Sequence, residues 1–405
     1  MRVLHIGKYY PPVAGGVERL LADLGEALER RGVRVAALVH QNSRGLAGRR
    51  PAPDEWPAVF RAPTFGQFLY APLSPGFPLW LNRVIKEFKP DLLHLHVPNT
   101  SVFAALAIPR ARRLPWVIHW HADVGGMPLD RRLALAYRLY RPLEQRLLRR
   151  SRAVIATSEP YLQASEALRP WRERCVAIPL GLDTRRLTRP DEAACARAAR
   201  LWGGDGLRVL AVGRLTYYKG HDVLIDALTR VPEARLVIAG SGEGQARLRA
   251  QIARLGLEQR VTLTGFVPDD QLSALMASCD LLCLPSLERT EAFGLVLLEA
   301  MFFGKPVVVS DIPGSGTGWV VRQARNGVLT TPGDAVSVAE AIARLHASPE
   351  QRWDLGEAGR TALSKLFDID QTAVQVEALY ARVLSAQAGN PGIGAGIGTG
   401  TGDVA

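Results

Sequence analysis

One pattern limits what this chain can become. Short apolar runs of strand character recur along it, and helical segments separate them. In the first half the runs are Arg2–Ile6, Val33–Val39, Asp91–Val97, Trp116–Trp120, Ala153–Thr157 and Val176–Pro179. In the second they are Arg208–Val212, Arg235–Ala239, Val261–Phe266, Leu281–Pro285 and Val307–Ser310. Strands joined through helices pair in parallel, and the helices cover both faces of the sheet. The pattern therefore predicts an α/β chain with two parallel sheets. At 405 residues there is room for two domains of ordinary size.

The opening shows the unit in detail. Arg2–Ile6 leads through Pro11-Pro12 and Gly15-Gly16 into a helix, Val17–Arg30. Its Leu20, Leu21, Leu24 and Leu28 keep helical spacing, and Gly32 ends it. Strand, glycine loop, helix, strand is a Rossmann-type opening. No G-x-G-x-x-G follows the first strand, which argues against a dinucleotide. Residues 41–80, rich in Pro, Gly and aromatics, read as irregular structure with short strands. Further helices are expected at Leu81–Phe88, from about Ser101, from about Glu159, and from Lys219-Gly220 to near Arg230. Three more are expected at Ala335–Ala347, from about Pro349 to Phe367, and at Ile369–Gln387. The Asp130–Ser151 segment combines leucines with seven arginines, and Pro142 is expected to kink or split its helix. A basic amphipathic helix suits an anionic lipid surface, and equally a packed surface helix with a solvated arginine face.

The formal net charge of +11 points to an acidic partner such as lipid, nucleotide phosphate or nucleic acid. No apolar run is long enough to span a bilayer, and MRVLHIGKYY lacks the apolar core of a signal peptide, so a cytoplasmic protein is expected. Cys175, Cys195, Cys279 and Cys283 are scattered as reduced structural thiols would be. His94 and His96 share one strand face, as do His119 and His121. With no carboxylate–histidine spacing beside them, polar strand ends are expected rather than a metal site.

The stretch most suited to chemistry is EAFGLVLLEAMFFG, Glu291 to Gly304. It reads as a loop turning into a helix, with Glu291 in the loop and Glu299 inside the helix. Phe293, Gly294 and Leu295 fall at the helix start, where backbone N–H groups and the helix dipole can receive an anion. Arg214 and Lys219 leave the C-terminal end of the Arg208–Val212 strand, where ligands bind in open α/β sheets. A guanidinium and an ammonium there suit a diphosphate. The plain alternative is a solvated loop and incidental charge.

These residues carry a resemblance that covers the chain to about Ala386. The E-x7-E element Glu291/Glu299 resembles that of retaining glycosyltransferases of the large bacterial GT4 type. RVLHIGKYYPP-x-x-GG, HWHAD and IPGSGTGWV look like those of enzymes that build lipopolysaccharide or exopolysaccharide, mannosyltransferases among them. The resemblance implies the GT-B architecture, two facing Rossmann-like domains with parallel sheets. It implies an acceptor-side domain at 1–185, a nucleotide-sugar domain at 186–366 and a helix at 367–388 crossing back to the first. A disordered glycine-rich tail is expected at 389–405. The hinge would lie near Leu180-Gly181-Leu182-Asp183.

In its catalytic and binding roles the resemblance places His121 against the transferred sugar and Glu291 on that sugar. Glu299 falls on the ribose, and Arg214 and Lys219 on the diphosphate. Gly15, Gly16, Gly240, Gly242, Val267, Phe293, Gly294 and Leu295 line the nucleotide-sugar. It implies no metal and no cofactor beyond the nucleotide-sugar co-substrate. The partners are that donor, a glycan or polyprenyl-linked acceptor and an anionic membrane surface, with no nucleic acid. GDP-mannose is the donor this points to, with UDP-glucose and UDP-N-acetylglucosamine as alternatives. Two other readings stay open. One is a UDP-sugar enzyme with a soluble acceptor. The other is a nucleotide-sugar 2-epimerase, for which no acid–base carboxylates can be placed in the first domain.

Overall fold

The computed structural model describes residues 1–44, 48–52, 57–68, 71–124, 131–187 and 189–389. The chain divides into two compact units. One comprises Met1–Pro179 and the segment beginning at Ile369, and the other is Leu180–Asp368.

In the first unit seven strands form one sheet, in the order Ala58–Thr64, Arg34–Arg44, Arg2–Ile6, Leu92–Val97, Trp116–Trp120, Ala153–Ala156, Cys175–Ala177. Every pairing is parallel. The order runs outward from Arg2–Ile6 in one direction and then returns to its other side. A switch point therefore lies between Arg2–Ile6 and Leu92–Val97. Both sheet faces are covered, so Leu92–Val97 and Trp116–Trp120 are buried at every position. The helix Ile369–Gly389 belongs to this unit. Arg30 and Arg31, at the end of the helix Gly16–Arg30, pair with its Asp370 and Glu377 at 2.8 and 2.5 Å. Its Tyr380 is fully buried against the sheet.

The second unit holds a six-stranded sheet, in the order Val261–Gly265, Ala234–Ala239, Leu207–Val212, Leu281–Leu284, Val307–Ser310, Gly327–Thr330, again parallel throughout. Its switch point lies between Leu207–Val212 and Leu281–Leu284. Val209, Ile238, Cys283 and Val308 from the strands pack with Leu224, Leu228, Ile342 and Leu345 from the helices in one core. Cys283 is part of that core, and Cys279 is likewise buried.

The α/β expectation of two parallel sheets holds, and several local readings change. The second strand runs on to Arg44, and a helix begins at Phe77 rather than Leu81, with Pro78 in its first turn and Phe77 buried. Pro142 does not split its helix, which is continuous over Arg131–Arg150. No helix is expected over IPGSGTGWV, yet Gly316–Ala324 is one, capped by Ser315 through Thr317 N–H at 3.2 Å. A Cβ at Gly318 would lie 2.5 Å from Asp311 Oδ1, so glycine there serves close packing. Asn326-Gly327, a dipeptide that favours a tight turn, does not form one here. Arg325 takes the left-handed conformation that ends the helix, and Gly327 opens the last strand. Helices at Glu192–Trp202, Gln245–Arg254 and Asp269–Ser278 complete the second unit. The glycine-rich tail from residue 390 lies outside the described residues.

Candidate functional site

In the second unit the site is built from two strand ends at the switch point. Leu207–Val212 leaves through Gly213 into a short turn, Tyr217–Lys219. Gly220 follows in the left-handed region at φ 65°, and a Cβ on it would lie 2.0 Å from the carbonyl oxygen of Pro285. Only glycine lets the turn press so closely against the neighbouring strand end. That contact brings Lys219 Nζ to 2.5 Å from Glu291 Oε2, with the two side chains 13% and 11% exposed. Ser286 Oγ donates to the same oxygen at 3.3 Å. Burial by itself lowers the Lys219 pKa, but the adjacent Glu291 carboxylate overrides it and the net shift is upward. The ammonium thus stays charged although nearly enclosed. Arg214, exposed at the same strand end, is close enough for its charge to oppose that rise.

Glu291 is also held by its backbone, whose carbonyl accepts from Ser315 Oγ at 2.5 Å. Gly294 lies in the left-handed region at φ 77° and precedes the helix Leu295–Phe302 with no side-chain cap. Phe293 is buried and meets Phe367 edge-on at 6.2 Å, and Leu295 is half-buried. One helical turn on, Glu299 Oε1 lies 3.4 Å from Arg186 Nη2. The sequence pattern did not single out Arg186, because its partner stands 113 residues away. Gly240 and Gly242 crowd the same sheet edge. Added Cβ atoms would fall 1.9 Å from Gly213 O and 2.6 Å from Leu215 O. Gly240 N–H donates to Gly265 O at 2.9 Å, and Val267 follows half-buried. Lys219 and Glu291 are thus brought into contact, with Gly294 three residues beyond. Glu299 instead pairs with Arg186.

The first unit offers a different surface. Gly15, exposed, is the N-cap of the helix Gly16–Arg30, so Gly16 is the first helical residue rather than part of the loop. His121 directly follows the strand Trp116–Trp120 and is buried, as is His119. Sheet register explains the company it keeps. His5 pairs with His94, and His96 with His119. With the two-residue steps His94/His96 and His119/His121, five imidazoles occupy one sheet face. His5 and His121 have pKa values lowered by burial to about 3. Burial first, and then neighbouring imidazole charge, also lowers His94, His96 and His119. The sequence reading missed His5, although its place in the first strand of the sheet was a usable signal. Two triads, His5/His94/His96 and His96/His119/His121, have ring nitrogens within 4.8 Å of one another. Asp123 of the HWHAD segment is a brace: its carboxylate accepts from Trp120 Nε1 at 2.9 Å and Ser165 Oγ at 2.7 Å.

On the helix Arg131–Arg150, Leu147 and Leu148 are buried while Leu135 and Leu139 are 62% and 75% exposed. Arg138, Arg141, Arg146 and Arg149 are exposed beside them. The side chains of Arg131, Arg132 and Leu133 lie outside the described ones. Arg112, Arg146, Arg149 and Arg150 line a groove of 470 Å³ with Leu106, Trp116 and Leu143. No helix among the described residues is long and apolar enough to cross a membrane.

Two doubly wound parallel sheets in one chain make the GT-B architecture. Residues 14–186 match the model of Glycosyltransferase Family 4, and residues 196–362 match that of Glycosyl transferases group 1. The D-rhamnosyltransferase WbpZ of Pseudomonas aeruginosa is 31% identical over 375 residues, 91% of this chain and 92% of that protein. The O-antigen chain mannosyltransferase C of Escherichia coli is 29% identical over 394 residues, 96% of this chain and all of that one. Anabaena HepE in complex with UDP-glucose superposes with a TM-score of 0.73 at 26% identity, covering 94% of this chain and 100% of HepE. The chain belongs to the group 1, family 4 glycosyltransferases.

Proposed function

We propose that this glycosyltransferase moves mannose from GDP-mannose to a lipid-linked glycan in cell-surface polysaccharide synthesis, with retention at the anomeric carbon. The observation that carries the donor site is the enclosed Lys219–Glu291 pair, 2.5 Å apart, beside the uncapped helix start at Gly294. The sugar and the cell-surface polysaccharide rest on the likeness to the E. coli O-antigen chain mannosyltransferase C, and the lipid-linked acceptor on the motif resemblance given above.

Breaking the sugar–phosphate bond develops positive charge on the sugar and negative charge on the diphosphate. In this reading Lys219, Arg214 and the free N–H groups after Gly294 stabilise the leaving diphosphate, electrostatic help worth several kcal/mol. With two cations in those roles no metal is required. Glu291, anchored by Ser286 and by its own backbone, accepts from hydroxyls of the transferred sugar. Glu299 holds the ribose, and its pairing with Arg186 fixes the carboxylate before the donor arrives. Gly240, Gly242 and Val267 shape the nucleotide side. Gly15 and Gly16 approach the phosphates, and His121 orients sugar hydroxyls. The acceptor is delivered on the face from which the diphosphate departs. The basic helix with exposed Leu135 and Leu139 holds the enzyme peripherally on anionic lipid, where a polyprenyl-linked acceptor resides.

HepE, seen with UDP-glucose, favours a second reading with a UDP-sugar donor. A thermal-shift panel of GDP, UDP and ADP and their sugars separates the two. The true ligand at about 100 times its Kd stabilises by about 2.7 kcal/mol. A response to UDP-sugars with none to GDP-mannose overturns the first reading.

A further inference from the structure

Each imidazole in a continuous chain uses its nitrogens in a fixed order. His121 Nε2 lies 2.9 Å from His96 Nδ1. His96 Nε2 lies 3.0 Å from His5 Nδ1. His5 Nε2 lies 3.3 Å from the Tyr380 hydroxyl, which also contacts His94 Nδ1. All these groups are buried. At the ends, His121 Nδ1 and His94 Nε2 have no hydrogen-bond partner among the described residues.

A neutral imidazole has one N–H and one lone pair, and a phenol has one proton. Those counts leave the chain only two proton orders. Tyr380 either donates to His94 and accepts from His5, or the reverse. In the first of these orders Tyr380 donates to His94. His5 Nε2 must then carry a proton, leaving Nδ1 to accept from His96 Nε2–H. His96 Nδ1 in turn accepts from His121 Nε2–H, and His121 Nδ1 is left bare.

We propose that Tyr380 is a positioning residue that fixes the tautomer of His121 through His5 and His96, so that His121 offers an unprotonated Nδ1 to accept from a sugar hydroxyl. The functional half rests on the reading of His121 given above. A donor-only Nδ1–H could not accept that bond, so the order of protons decides what His121 can do. Buried chains of this kind polarise along their length, which makes the order cooperative. A metal ion suits the cluster less well. The His96, His119 and His121 rings lie within 11 to 21° of parallel. Their in-plane lone pairs therefore do not converge on one point, and His96 already uses both nitrogens.

The test uses the full chain labelled with ¹⁵N in histidine, without ligand, because nitrogen shifts distinguish N–H from lone pair. His121→Gln identifies the His121 signals. Wild type should show one tautomer at His121, protonated on Nε2. Tyr380→Phe removes only the hydroxyl and should move the His121 Nδ1 and Nε2 shifts toward each other as both tautomers populate. His5→Gln cuts the same chain and should do likewise, which covers the case that Tyr380→Phe fails to fold. Unaltered His121 signals in both variants overturn the proposal. So does equimolar Zn²⁺ if it shifts all five rings together and raises the melting temperature, since the cluster would then be a cation site. With GDP-mannose as probe, Tyr380→Phe should lower kcat about tenfold with KM little changed. Wild-type turnover in His121→Ala would overturn the sugar contact alone, while the nitrogen signals would still decide the chain.

Discussion

The two units solve one topological problem with opposite chemistry. Each is a parallel sheet that winds outward from a central strand and returns, so each presents strand ends at a switch point. The Met1–Pro179 unit fills the sheet face below that point with neutral, stacked imidazoles. The Leu180–Asp368 unit keeps an ammonium and a carboxylate in contact there, nearly enclosed. The contrast shows that the doubly wound frame fixes where a side chain at the switch point can stand but not its charge. Charge follows from what each side chain is given as a partner. Lys219 stays ionised because Glu291 offsets its burial, whereas the stacked histidines meet one another and the uncharged Tyr380 hydroxyl and stay neutral.

Acid should break the comparison most severely. Six histidines of the first unit have lowered pKa values: His5, His40, His94, His96, His119 and His121. In the second unit only His221 among the described histidines does, at about 4. The unfolded chain binds protons at these groups below about pH 6.5, while the folded chain does not. The unfolded state thus gains protons as pH falls, and stability falls with it, by about 1.4 kcal/mol per pH unit for each histidine. For His5 and His121 the loss continues down to about 3, their folded pKa. Calorimetry between about pH 7.5 and about pH 5 should show the histidine-bearing unit losing stability much faster than the other. Parallel losses in both units would contradict the division.

Next in size are the charged groups of the second unit. Lys219→Ala or Arg214→Ala should weaken nucleotide binding in calorimetry and lower kcat on the order of 100- to 1000-fold. Glu291→Gln should lose turnover while keeping its affinity for the free nucleoside diphosphate. Glu299→Gln should lose both, and identical behaviour of the two variants would refute their separate roles. Arg186→Ala should resemble Glu299→Gln more weakly. The partly exposed pair it breaks contributes of order 1 kcal/mol or less.

A smaller effect concerns the basic helix. Co-sedimentation should show binding to anionic vesicles and little to neutral ones, with about 1 kcal/mol from each arginine near the surface. Release should be partial at about 1 M salt, where the Debye length is about 3 Å, because inserted leucines resist screening. Arg138→Glu, Arg141→Glu, Arg146→Glu and Arg149→Glu together should abolish binding and leave nucleotide affinity intact. Indifference of the wild type to anionic vesicles would make the segment an ordinary surface helix.

Much of the frame was legible in the chain. Trp116–Trp120 was bounded correctly because a fully buried parallel strand is an unbroken apolar run, and helices such as Ala335–Ala347 show their period directly. Gly316–Ala324 was not legible, because glycine signals a loop unless a neighbour such as Asp311 demands the missing Cβ. Arg186 beside Glu299, and Ser286 beside Glu291, depend on distances that no local pattern encodes.

By itself the sequence determined the α/β class, the parallel pairing and the strand ends that could carry chemistry. Each of these is written in short unbroken apolar runs, in the 3.6-residue period of the helices between them and in the residues that interrupt both. Only the tertiary structure decided which side chains meet. The Lys219–Glu291 contact needs the close approach of Gly220 to Pro285, and the histidine stripe needs the register of three parallel strands. Tyr380 reaches His94 across 286 residues because the last helix packs on the first sheet. Contacts of that range depend on how elements pack, and packing is a property of the folded chain rather than of any one segment.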